Sequence, residues 1–314
     1  MKLLTHERQW KGGETVVAFG MFDGVHAGHA QLLRRAKELA REQGLTSMVY
    51  TFSTHPIATY APDRVPPQLQ TRSEKVRAIG RMGIDAAVLR PFNLRYAAQS
   101  PEQFVCALCE TLHPRHVVIG YNYSFGARGA GKAEDMVRLG AAYGFETHVI
   151  DEISIGGAPV SSTRIRMALL EGELEGANSL LGRPYTLSGV VRRGKQLGRQ
   201  LDFPTANLAW PEDKAVPAGG VYAAYADVRG ERYMAAVNIG SHPTAPQGGR
   251  SIEANLLDYD GGEIYGCHMR LSFVKRLREE RKFPSLQALR EEVLVNREQA
   301  RRILESESDD PKKC

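Results

Sequence analysis

Long apolar runs, cysteine pairs and basic stripes are what this chain lacks, and each absence narrows its class. No run of about 18 apolar residues occurs, so no membrane-spanning helix is expected, and the first residues carry no signal-peptide core; the reading is a cytoplasmic protein. Four cysteines in 314 residues make no disulfide framework. Cys106 and Cys109 have Cys-x-x-Cys spacing, but they fall in a helical pattern and no second pair exists to complete a zinc site. They read as small apolar residues on a helix. The formal charge of +5 and pI near 9.0 would suit nucleic acid. Yet charges of both signs alternate along 276–282 and 290–302, and no basic stripe is interleaved with aromatics. No nucleic-acid partner and no membrane partner are expected, and the excess positive charge is assigned to the surroundings of phosphate pockets. Nothing in the sequence marks an oligomeric state.

What is present is length enough for two cores. From 15 to 150, apolar strand-like runs (15–19, 46–52, 86–89, 116–119, 145–150) alternate with amphipathic segments (30–43, 72–82, 101–112, 133–143). That alternation predicts a parallel, doubly wound α/β sheet with its ligand site at the carboxyl ends of the strands. After Leu181-Gly182-Arg183-Pro184 the texture changes to short strand-like runs (185–191, 220–228, 232–239, 252–257, 268–273) separated by glycine and proline, which predicts an antiparallel β-barrel. The expected domains are therefore 1–183 and 184–314. A terminal helix over 285–304 is expected to start on a Ser285 N-cap and to bury Leu286, Leu289, Val293 and Val295, and the polar stretch 305–314 reads as a disordered tail.

The most informative segment is Gly20-Met-Phe22-Asp-Gly-Val-His26-Ala-Gly28-His29. It follows an apolar strand and opens a helix, so free backbone N–H groups and the positive end of the helix dipole attract phosphate there, and two imidazoles can donate to the same oxygens. Downstream, Ser161-Ser162-Thr163 precede another helix, where hydroxyl residues ordinarily cap. Arg166, about one turn along, adds a guanidinium suited to β- and γ-phosphates. A third segment, Gly120 to Gly126, carries Asn122 at the carboxyl end of a strand. Three phosphate-suited segments on one rim describe an ATP site. Gly126 to Lys132 also has Walker spacing, but Ala133 stands where that loop needs a hydroxyl for magnesium, so it reads as a flexible basic flap.

In the second half, Gly194-Lys195-Gln-Leu-Gly198 is a basic glycine loop able to approach phosphates. Thr205 and Asn207, two apart, share a face if extended and offer hard oxygens to Mg²⁺, although Pro-Thr-Ala-Asn also suits a plain turn into a strand. Glu253 shares a strand face with Ser251 and Asn255; facing a site, it could accept a proton from an attacking hydroxyl, and otherwise it is solvated.

These segments, with Thr51 to Pro56, Gly220 to Ala223, Asn238 to Thr244 and Arg278 to Phe283, resemble the bacterial bifunctional riboflavin kinase/FAD synthetase family over about 16–304. The resemblance implies an N-terminal Rossmann-like nucleotidyltransferase domain and a C-terminal riboflavin kinase barrel with a terminal helix. It implies phosphorylation of riboflavin to FMN by ATP and adenylation of FMN to FAD with release of pyrophosphate, Mg²⁺ accompanying ATP at both sites. By residue, His26 and His29 would act at the α-phosphate, and Gly20, Phe22, Gly28, Asn122, Ser162, Thr163 and Arg166 would bind ATP. Asn122 would also meet flavin. Gly194, Lys195 and Gly198 would cradle the kinase ATP, Thr205 and Asn207 would hold Mg²⁺, Glu253 would be the base and Arg278 would help close the flavin site. The chain departs from the family at Asp202, where glycine is usual, at Tyr123 for phenylalanine, and at Ser53-Thr54 before His55-Pro56. An aminoacyl-tRNA synthetase also uses His-x-Gly-His, but a Lys-Met-Ser-Lys-Ser loop and an anticodon-binding domain are absent. A flavin-binding regulator with eroded chemistry is opposed by the intact set of candidate residues.

Overall fold

The computed structural model describes residues 1–193, 204–241 and 249–308, and the chain divides into two compact units, Met1–Ser162 and Thr163–Cys314. In the first, the elements run β1 (Lys2–Leu4), β2 (Thr15–Phe19), α1 (Ala27–Gln43), β3 (Thr46–Phe52), α2 (Arg72–Arg81), β4 (Ala86–Arg90), α3 (Leu94–Ala97), α4 (Pro101–Leu112), β5 (Pro114–Gly120), α5 (Ala133–Tyr143) and β6 (Glu146–Ile150). All six strands are parallel, in the order β1-β4-β3-β2-β5-β6. β2 lies centrally and buries all five residues, as a strand covered by helices on both faces must. Val17 and Phe19 face a core with α4 and α5, while Val16 and Ala18 face one with α1.

Local chemistry sets the helix ends. Thr71 and Glu74 form a capping box on α2, and Ser100 with Gln103 forms another on α4, where Pro101 takes the first turn. The chain leaves β2 toward β3 and β4 on one side and returns to β5 and β6 on the other. The order thus reverses between β2 and β5, and a crevice opens beyond their carboxyl ends. β1 was not among the expected strands, because three residues are too few to show a period. A small hairpin, β7 (Ser154–Ile155) and β8 (Ala158–Pro159), follows β6.

The second unit opens with α6 (Ser162–Glu171), whose first residue closes the first unit, and α7 (Leu174–Leu181). It continues through β9 (Tyr185–Arg192), β10 (Ala206–Ala209), β11 (Gly220–Val228), β12 (Glu231–Ser241), β13 (Arg250–Leu256) and β14 (His268–Arg278) to α8 (Leu286–Ser308). The six strands close an antiparallel barrel in the order β10-β13-β12-β11-β14-β9. β9 alternates buried and half-buried residues and ends on an exposed Arg192, the pattern of a wall with an inside and an outside. The compact second unit starts well before residue 184 because α7 is built into the barrel: the Asn178 side chain donates to the Phe273 carbonyl at 2.9 Å and accepts from the Tyr185 amide at 2.7 Å.

α8 corrects two expectations. Ser285 does cap it, its hydroxyl accepting from the Ala288 amide at 3.1 Å. The buried face, however, runs through Asn296, Ala300 and Leu304, while Leu286 and Val295 are exposed. The helix also continues to Ser308, so 305–308 are not a disordered tail, and 309–314 lie outside the described residues.

Candidate functional sites

In the first unit a cavity of about 610 Å³ opens at the reversal between β2 and β5. Gly20, His26, Gly28 and His29 line one side of it, Asn122 and Ser162 another. His26 is the N-cap of α1: its Nδ1 accepts from the His29 amide at 3.4 Å, and the two imidazoles stack with centroids 3.7 Å apart. His29 Nδ1 is buried without a hydrogen-bond partner among the described residues. Burial pushes the proton affinity of His29 well below that of a free imidazole, and the neighbouring His26 and Lys75 push in the same direction. In the free protein the ring is therefore neutral near pH 7 and offers a hydrogen-bond donor rather than a cation.

The loop that carries these histidines is strained and braced. Phe22 (φ 51°) and Val25 (φ 41°) occupy the left-handed region, which costs about 1–3 kcal/mol per residue and persists only where the surroundings impose it. The surroundings do so through four anchors. The buried Asp23 carboxylate accepts from the amides of Leu69 (3.0 Å) and Gln70 (3.1 Å). Ser162 donates to the Asp23 carbonyl at 2.8 Å. Lys75, only 6% exposed, donates to the carbonyls of Met21 (3.2 Å) and Phe52 (3.0 Å), and Thr51 donates to the same Met21 carbonyl at 3.0 Å. Phe22 itself does not line the cavity: its ring is fully buried and packs 5.1 Å from His29, so the side chain shapes the loop from behind.

Opposite the histidines the wall is aromatic, made by Tyr50, Phe52, Phe92, Tyr96, Phe104 and Tyr123. Burial raises the phenol pKa of Tyr50, Tyr96 and Tyr123, so all three stay protonated. Single-residue patterns gave no sign of this wall, whose members are scattered over β3, the segments after β4 and β5, α3 and α4. Asp23 and Lys75 were missed as well, since their partners are backbone groups far along the chain.

The loop 126–132 differs from the expected mobile flap. Phe125 and Gly131 exchange backbone hydrogen bonds at 3.0 and 2.9 Å, and Ala127 donates to the Gln99 carbonyl at 2.6 Å. Gly126 is required there: it has φ 72°, and a Cβ would stand 2.8 Å from the Pro101 nitrogen. Lys132 caps α5 and is not in the cavity wall, whereas Gly126, Arg128 and Gly129 are. Cys106 and Cys109 lie on α4 as read; burial pushes the Cys109 thiol up to about 11.

In the second unit Asn207 stands opposite Glu253 in the β10–β13 register, and the Thr205 hydroxyl donates to Glu253 Oε2 at 3.4 Å. The Thr205–Asn207 pair and Glu253, singled out in separate segments of the sequence, thus come together. Beside them a cavity of about 350 Å³ is lined by Val191, Thr205, Ala254, Tyr259 and Tyr265 among others. Arg278 is not in that lining. It pairs with Glu292 of α8 at 2.9 Å, bonds Asn296 at 3.2 Å and lies over the Phe283 ring. Thr163 and Arg166 both lie on α6, Thr163 exposed. Gly194, Lys195 and Gly198 lie outside the described residues, as do Asp202 and 242–248.

A parallel sheet with a phosphate-type helix start, joined in one chain to a closed barrel with a hydroxyl–amide–carboxylate cluster, defines a two-module ATP-using transferase. Comparison with known proteins agrees with that class. A family model for FAD synthetase matches residues 8–164 and one for riboflavin kinase matches 181–304. Curated bifunctional riboflavin kinase/FMN adenylyltransferases are similar: that of Listeria monocytogenes is 37% identical, with 90% of each chain covered. That of Bacillus subtilis is 37% identical over 91% of this chain and 92% of its own, and that of Escherichia coli 35% over 88% and 89%. A crystal structure described as a macrolide-efflux protein from Streptococcus pneumoniae superposes with a TM-score of 0.86 at 28% identity, covering 95% of this chain and 98% of that one. No described helix of the present chain is long and apolar enough to cross a membrane. The chain belongs to the bifunctional riboflavin kinase/FMN adenylyltransferase family.

Proposed function

We propose that the second unit phosphorylates riboflavin to FMN and that the first adenylates FMN to FAD. The observation that carries the reading is the 610 Å³ cavity, which joins the paired histidines of a helix start to an aromatic wall, so that a polyphosphate and a flat flavin ring find complementary surfaces in one crevice. In this reaction an oxygen of the FMN phosphate attacks the α-phosphorus of ATP, and the bond to pyrophosphate breaks. FMN brings its own nucleophile, so the protein needs no nucleophilic side chain. Its task is positioning and charge stabilisation. The backbone amides at the start of α1, with Gly20, Phe22 and Gly28 shaping the approach, bind ATP. His26 and His29 donate to the reacting phosphate; the buried, unpartnered Nδ1 of His29 supports this role. The negative charge of bound ATP raises the proton affinity of that ring, favouring an imidazolium that donates from both nitrogens. Asn122 meets nucleotide or flavin. Ser162, Thr163 and Arg166 are assigned to the leaving pyrophosphate from the family pattern.

For the kinase, Glu253 accepts the proton of the riboflavin 5′-hydroxyl as that oxygen attacks the γ-phosphorus of ATP. Thr205, Asn207 and Glu253 form a hard-oxygen donor set that fits Mg²⁺, and Thr205 and Asn207 are assigned to hold it. Held there, the ion would supply charge neutralisation to the phosphates. Gly194, Lys195 and Gly198 are assigned to the ATP phosphates from the sequence, and Arg278 to the closing of the flavin site, which its tie to α8 at Glu292 supports. We place the division of labour near Arg183, just inside the start of the riboflavin kinase match at residue 181. We place the protein in the cytoplasm, with small molecules rather than nucleic acids as partners. The test is direct: purified protein with riboflavin, ATP and Mg²⁺, followed by chromatography, yields FMN and then FAD. Unchanged riboflavin refutes the kinase assignment, and FMN, whether formed or supplied, that never becomes FAD refutes the one for the first unit.

A further inference from the structure

At the other end of the parallel sheet from the nucleotide loops, two histidines and a glutamate converge between β5 and the edge strand β6. His116 lies opposite Glu146 in the register, and His148, two residues on, shares the face of Glu146. His116 Nδ1 is 3.0 Å from His148 Nε2. The carboxylate straddles both rings, Oε2 at 3.6 Å from His116 Nδ1 and Oε1 at 3.7 Å from His148 Nε2. A hydrogen bond between two neutral imidazoles accounts for the first contact alone. It does not account for one carboxylate oxygen directed at each ring.

A tetrahedral ion bound to nitrogen and oxygen at about 2.0–2.1 Å holds its donors roughly 3.4 Å apart, and the three separations bracket that edge. Among the described residues this is the group of histidine, cysteine and acidic side chains spaced to hold a metal. Two imidazoles and a carboxylate suit a borderline divalent ion better than Mg²⁺ or Ca²⁺, which prefer all-oxygen sets. The His116 and His148 side chains are 9% and 14% exposed while Glu146 is 66% exposed, so the cluster is anchored inside and opens to water through the carboxylate, where a fourth ligand can sit. Burial lowers the proton affinity of His148, favouring the neutral form a metal needs; Arg35 of α1 adds to this, His116 less so, and Glu146 opposes. Arg35 is a facing cation, and the Glu146 carboxylate offsets it.

We propose that His116, Glu146 and His148 form a site for a transition-metal ion of the zinc type, which clamps the edge strand β6 to β5. His116 precedes the nucleotide segment at Gly120 by four residues, roughly 13 Å along the strand, so the ion is structural and takes no part in adenylyl transfer. The experiment titrates zinc chloride into the metal-free full chain without nucleotide, following heat release, and repeats it with cobalt, whose visible bands report tetrahedral ligation. The expected result is one ion per chain, weakened at least about tenfold in both His148→Ala and Glu146→Gln, with a rise in unfolding temperature that only the parent chain shows. FAD synthesis with Mg²⁺ should be unchanged in both variants, which establishes that they fold. Binding in His29→Ala and in the double variant Cys106→Ser/Cys109→Ser should match the parent. No saturable binding, binding retained in both cluster variants, or binding lost in either control overturns the proposal.

Discussion

Replacing Lys75 by methionine removes a brace of the histidine loop together with a nearby cation that lowers the proton affinity of His29. The ammonium donates to the carbonyls of Met21 and Phe52 at 3.2 and 3.0 Å. Hydrogen bonds from a charged donor are worth about 1.5–3 kcal/mol each. Against that stands the desolvation of the buried ammonium, which lowers the Lys75 pKa although Asp23 partly offsets it, and which takes back several kcal/mol. Methionine fills the same volume without that cost, so the net loss of global stability is small, about 1–2 kcal/mol. The loop fares worse. With one of its anchors gone, the left-handed residues Phe22 and Val25 can relax, each releasing about 1–3 kcal/mol of strain at the expense of the geometry that positions His26 and His29. A displacement worth about 1.4–2.8 kcal/mol in the transition state lowers kcat/KM for FAD synthesis roughly 10–100-fold. The assay follows both activities in one preparation. FAD formation from FMN should fall mainly in kcat, and phosphorylation of riboflavin should stay within about twofold, the size of a small free-energy change. Equal loss of both activities, or an unchanged adenylyl transfer, refutes the reasoning.

Other consequences follow from the same geometry. The His29 pKa is depressed in the folded state, so the unfolded chain binds this proton first. Stability of the first unit is then full above about pH 6.5 and declines as pH falls below it, and His29→Gln should flatten that decline in thermal denaturation between pH 7.5 and 5.5. Identical slopes in parent and variant would rule this out. A fragment beginning at Thr163 should fold and phosphorylate riboflavin. One beginning at Pro184 loses α7 and the Asn178 bonds to Phe273 and Tyr185, and should be destabilised by about 2–4 kcal/mol in urea. Equal stability of the two would show that α7 is only a linker. Gly126→Ala sets a Cβ 2.8 Å from Pro101 and forces φ 72° on alanine; it should lower the unfolding free energy by about 1–3 kcal/mol and raise KM for FMN more than it lowers kcat.

Sequence reading reached furthest where one physical signal dominated. β3 and β11 fall on the expected residues because buried β-branched and aromatic runs end abruptly in turn residues, and α4 and α5 do so because caps and periodicity coincide. The histidine loop was legible from its position alone, between a strand and a helix. The Thr205–Asn207 pair and Glu253 could be suspected apart, but only the β10–β13 register brings them together. The aromatic wall was invisible because its rings come from segments dozens of residues apart, and the Asp23 clamp and the Lys75 brace because their partners are distant backbone atoms that carry no residue-specific mark. α8 was found, yet its buried face was misjudged. Asn296 is buried by its bond to Arg278, so polarity gave the wrong side of the helix.

The central claim is that two sites in one chain cleave ATP at different phosphates. The measurement that tests it most directly is a pair of substitutions assayed for both products. His29→Ala should reduce FAD formation from FMN by about 100–1,000-fold while FMN formation from riboflavin persists. Glu253→Gln should reduce FMN formation by about 100–10,000-fold while FAD formation from supplied FMN persists. Parallel loss of both activities in either variant would contradict the account.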